Sequence, residues 1–109
     1  MLSKNDVLQI VMNNLSASEK SNVLVLLDPQ LKPLGSKIRV GLGELQMPVN
    51  GFYVFADLQP MANWGHPVTY FLIDAETGKF VQMNQQFPPF DGGAPSNFLT
   101  LFDSRKKQI

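Results

Sequence analysis

Cysteine is absent from this chain of 109 residues, which excludes disulfide frameworks, thiolate zinc sites, iron–sulfur clusters and cysteine nucleophiles together. Net charge is absent too. Nine Lys plus Arg balance nine Asp plus Glu, so no overall field draws in DNA, RNA or an anionic membrane, and nucleic-acid binding is set aside. No stretch approaches the roughly 20 apolar residues of a membrane helix, and MLSKNDVLQ has no charged segment leading into an apolar one; a soluble domain off the membrane is expected, its compartment left open. There is one histidine and no closely spaced acidic run, so a protein-only metal site is poorly supplied. No serine sits in a Gly-x-Ser-x-Gly elbow, and Gly41-Leu42-Gly43 lacks the rest of a phosphate or dinucleotide loop. No cofactor is indicated.

What is present is a core: 44% of residues are hydrophobic, enough for a single domain over 1–109 without staples. Ser3 and Asp6 stand at capping-box spacing, and behind them Val7, Leu8, Val11, Met12 and Leu15 recur every three or four residues, predicting a helix over 4–15. SASEKS at 16–21 reads as its exit. Val23 to Leu27 is a short unbroken apolar run, suited to a central strand. Lys37 to Val40 alternates as a half-buried strand does, Gly41 and Gly43 loosen the chain, and Gln46 to Gly51 reads as a loop because Pro48 cannot donate to a ladder. Phe52–Leu58 and Val68–Asp74 are predicted strands, the second with Thr69, Phe71 and Ile73 on one side and Val68, Tyr70 and Leu72 on the other. Asp74 to Lys79 is a turn into a strand over Phe80–Asn84. After the Pro- and Gly-rich segment 85–97, Ser96 is positioned to cap a short final helix with Phe98, Leu99, Leu101 and Phe102 as its apolar stripe. The fold class expected is α+β: one antiparallel sheet of about four to five strands packed against the N-terminal helix, with a short C-terminal helix and a second sheet face that need not be covered.

The segment ANWGHPVTYFLID at 62–74 holds the single tryptophan and the single histidine, two positions apart, just before a strand. Proton-transfer chemistry needs a group tuned toward neutrality, and the candidates are Asp57, His66, Asp74, Glu44 and Glu76. Asp57 and His66 flank one connection between consecutive strands, so antiparallel pairing is able to bring them together. Beside a proline, His66 also suits a purely structural hydrogen bond. Trp64 has two readings as well, a plug for the core or an exposed anchor in a connection that offers Met61, Asn63, Gly65 and Pro67 around it.

The order of these pieces resembles the cystatins, small inhibitors of papain-like proteases. A helix precedes an antiparallel sheet, Gln46-Met47-Pro48-Val49-Asn50-Gly51 precedes a strand starting Phe52-Tyr53, and Asn63-Trp64-Gly65 lies in the next connection. The Asp74-Ala75-Glu76-Thr77-Gly78-Lys79 turn within a sheet-plus-helix order is also similar to PepSY-type domains of protease propeptides. Either resemblance implies an α+β fold and a protein partner, a protease. By it the contact residues are Met61, Asn63, Trp64, Gly65, His66 and Pro67, with Gln46, Val49 and Gly51 as a second loop.

Three functional readings therefore stand. The first is a non-catalytic binding or regulatory module, most concretely a protease inhibitor or propeptide-like domain. The second is a small enzyme or ligand-binding fold using Asp57 and His66. The third is an oligomerisation domain that buries its open sheet face or Phe87–Phe90 against another copy.

Overall fold

Ser3 caps α1, Lys4–Asn13, with its hydroxyl accepting from the Asp6 amide at 3.1 Å while the Asp6 carboxylate accepts from the Ser3 amide at 2.9 Å. This reciprocal box satisfies two amides that a helix start leaves without partners. The same device recurs at Ser16 and Glu19, which cap α2, Ala17–Lys20. That short helix replaces the simple exit expected for SASEKS. The Ser-x-x-Glu spacing was there to be read. The computed structural model describes residues 1–60, 65–89 and 97–106.

Seven strands follow among the described residues: β1 Leu24–Leu27, β2 Lys37–Val40, β3 Gly43–Gln46, β4 Gly51–Asp57, β5 Val68–Asp74, β6 Phe80–Gln85 and β7 Leu99–Asp103. Five form an antiparallel sheet in the order β6-β5-β4-β1-β7, and β2 and β3 form a separate two-stranded ribbon. The class is α+β, as expected, but the sheet is not single. Gly41, with φ +61, and Leu42 join Val40 to the opposing Gly43. A glycine with positive φ at the first position of a two-residue loop matches strand twist, so the glycines that were expected to loosen the chain instead close a hairpin.

Both faces of the large sheet are covered. On one, Val7, Val11 and Leu15 share an apolar cluster with Val25, Leu27, Phe52, Val54, Phe71 and Ile73. On the other, Ile38, Val40 and Met47 of the ribbon layer pack with Leu26, Tyr53, Phe55, Val68, Tyr70 and Leu72. The two-sided cover explains why Phe52 to Ala56 and Val68 to Ile73 are buried without a break, in contrast to strands with one wet face. Two tyrosines fasten the ribbon. Tyr53 Oη donates to the Arg39 carbonyl at 2.6 Å, and Tyr70 Oη accepts from the Gly41 amide at 3.0 Å while donating to the Phe87 carbonyl at 2.9 Å. Burial pushes both phenols above their ordinary range.

The expected C-terminal helix is a strand. β7 pairs with β1 so that Leu99 stands opposite Leu27 and Thr100 opposite Leu26, and then slips by one residue so that Phe102 stands opposite Val25. The slip is a β-bulge at Leu101. It lets Leu99, Leu101 and Phe102 all reach the helix-side cluster, a spacing that imitates the three- and four-residue period of a helix. Pairing along the outer edge of buried β1 outweighs the local pattern.

Candidate functional site

Antiparallel pairing of β4 with β5 sets Asp57 opposite Val68, so the connection over 58–67 leaves and returns at one end of the sheet. Its feet are tied. The Leu58 amide donates to the Pro67 carbonyl at 3.2 Å, and the Gln59 amide donates to Asp57 Oδ1 at 3.0 Å. His66 Nε2 lies 2.8 Å from the same Oδ1, with the imidazole 4% and the carboxylate 14% exposed. The approach is short but not aligned as a hydrogen bond. The pair expected from the sequence is thus assembled, and it is sealed into the base of the connection.

More charge stands nearby. Asp57 and Asp103 occupy neighbouring positions on either side of Leu24, one on β4 and one on β7. Arg105 forks onto Asp103, Nε to Oδ1 at 2.9 Å and an outer nitrogen to Oδ2 at 3.0 Å. That guanidinium holds the Asp103 carboxyl below the usual range, and Asp103 together with Asp57 raises Arg105. Neither Arg105 nor Asp103 was among the candidate site residues read from the sequence, because their role depends on β7 being a strand that ends beside β1. On the ribbon side of the sheet, Tyr53 and Tyr70 stack at 6.2 Å and Phe98 meets Tyr53 edge-on at 6.3 Å.

Of the other expected contact residues, Met61, Asn63 and Trp64 lie outside the described residues. Gly65 is exposed, and a side chain there would meet the Phe87 ring at 2.6 Å and the Gln86 carbonyl at 3.2 Å. The Phe87 carbonyl in turn accepts from Tyr70 Oη. Pro67 is half-buried. Gln46, Val49 and Gly51 lie at the opposite end of β4. Gln46 is exposed and Val49 half-buried, whereas Gly51 is buried where a Cβ would strike the Ile73 carbonyl. At that end Leu31, Lys32, Pro33, Asn50 and Ala75 border a hollow of about 340 Å³, and Lys32 Nζ lies 2.8 Å from Asp28 Oδ2.

Asp74 and Glu76 belong to the β5–β6 turn, where Asp74 Oδ1 accepts the Glu76 and Thr77 amides at 2.9 and 3.0 Å. Glu44 is exposed on β3. Neither joins Asp57 and His66. Among the described residues no three His, Cys, Asp or Glu side chains converge in a way that would hold a metal ion, and no helix is long and apolar enough to cross a membrane. Compared with known families, curated proteins and solved structures, the chain matches none.

Proposed function

We propose that the chain is a non-catalytic binding module of the protease-inhibitor or propeptide kind, and that the 58–67 connection is its contact surface. The observation that carries this reading is the clamp: His66 against Asp57 at 2.8 Å and Leu58 against Pro67 at 3.2 Å fix both feet of the connection. A segment with fixed ends loses less conformational freedom on docking, so more of its contact energy survives as affinity. In this reading Trp64 is the anchor, and Met61, Asn63, Gly65 and Pro67, its neighbours in sequence, are the further contact residues. The Gln46–Gly51 loop lies about 20 Å away along β4 by strand rise, and serves a partner only as a separate, lesser contact.

The short Asp57–His66 distance favours a second reading, general acid–base chemistry. Against it, a catalytic imidazole must reach its substrate within hydrogen-bond distance, and His66 is 4% exposed. Its buried place against Asp57 at the foot of the connection suits holding a loop better than reaching a substrate.

The test is inhibition of papain-like and subtilisin-like proteases by the full chain, with Trp64→Ala and Trp64→Phe beside it. Inhibition by the wild type that weakens about 30-fold in Trp64→Ala, the equivalent of about 2 kcal/mol, supports the anchor. Equal inhibition by the wild type and a folded Trp64→Ala variant removes Trp64 from the contact. No inhibition of either class discards the protease version. A His66 NMR signal that shifts with a small ligand would favour the second reading instead.

A further inference from the structure

The two edges of the large sheet are built differently. The β7 edge carries the Leu101 bulge and ends in the Asp103–Arg105 fork, both of them devices that keep a sheet from pairing with another chain. The β6 edge has neither. Its pairing with β5 runs without a slip from Phe80 opposite Ile73 to Gln85 opposite Val68. From Phe80 to Phe90 the sequence FVQMNQQFPPF contains no charged residue, and no proline interrupts the strand itself. Among the described residues no strand pairs with its outer side, and Phe80 and Val81, which point to opposite faces, are 39% and 44% exposed.

We infer that the outer edge of β6 is a self-association surface, on which β6 of a second copy adds antiparallel across a two-fold axis to make one continuous ten-stranded sheet from two five-stranded ones. The occupant is a second copy because an uncharged strand meets itself without repulsion and the whole chain has zero net charge, so nothing at long range keeps copies apart. Antiparallel pairing also sends the two Lys79 side chains to opposite ends, whereas parallel pairing would set them side by side. Across the new pair the exposed Phe80 and Val81 of each copy gain cross-strand neighbours, one on each face. This surface is separate from the 58–67 connection and does not depend on its function.

The inference is tested on the full chain by sedimentation equilibrium together with single-cysteine crosslinking, which the cysteine-free sequence permits. A strand-only interface is small, so a substantial dimer fraction is expected at about 100 µM rather than at nanomolar concentration. Val81→Lys and Gln82→Lys, both at exposed positions, should return the chain to monomer. Of the neutral variants Val81→Cys, Gln82→Cys, Met83→Cys and Asn84→Cys, those nearest the axis should form symmetric disulfide dimers, since only facing positions bring their Cβ atoms within bonding range. A wild type that stays monomeric at that concentration overturns the inference, and so does a dimer that survives both lysine variants without any symmetric crosslink in β6.

Discussion

Individual residues separate here by what a change in them would touch. Asp57 is held between a backbone amide and a buried imidazole. Asp57→Asn keeps its shape but removes the charge facing His66, and should lower stability by about 1–3 kcal/mol in urea denaturation; an unchanged midpoint would mean that the clamp contributes nothing. Two glycines make a sharper contrast. A methyl group at Gly51 meets the Ile73 carbonyl, which belongs to paired backbone, whereas one at Gly65 meets mainly the end of the Phe87 ring. Backbone cannot step aside and a ring can, so Gly51→Ala should cost at least about 3 kcal/mol and Gly65→Ala about 1 kcal/mol or less. The same denaturation series reads both, and a reversed order would contradict the packing described. Tyr70→Phe leaves the ring in place and removes both its polar contacts, those with Gly41 and Phe87, at an expected cost of about 1–3 kcal/mol.

At the scale of elements, the sequence was most legible where local signals agree with the final contacts. The capping box of α1, the alternation of β2 and the two sides of β5 follow from spacing alone, and Ser3→Ala should lower stability by about 1 kcal/mol, read from the same denaturation curves. Where neighbours decide, spacing misleads. β7 looks helical because its bulge brings 99, 101 and 102 to one face. The ribbon went unseen because Gly41 and Gly43 signal looseness until one knows that Val40 and Gly43 pair. The cover over the second face was nonetheless written in the unbroken apolar runs of β4 and β5, which a strand with one wet face would not need. For the site, the Asp57–His66 approach was legible from two flanking positions on one connection. Arg105 and Asp103 were not, because they enter through β7.

Across the whole molecule, pH should act from two directions. The Ser3 amide holds the Asp6 carboxyl low, the Thr77 and Glu76 amides hold Asp74 low, and Arg105 does the same to Asp103. Carboxyls depressed in the folded state contribute stability above their unfolded value of about 3.9, and that share is lost as pH falls below it. The buried phenols of Tyr53 and Tyr70 are raised, so their share is complete below about pH 10 and is lost as pH rises past it. Stability should therefore form a plateau between these limits, and Asp103→Asn should flatten its acid side. Within that plateau, the proposed presentation of a tryptophan to a partner by the clamped connection rests on one side chain. The single Trp64 makes intrinsic fluorescence with acrylamide quenching the most direct measurement. Red-shifted, readily quenched emission from the folded chain is expected; blue-shifted emission that acrylamide fails to reach would make Trp64 a plug in the core and overturn the anchor reading.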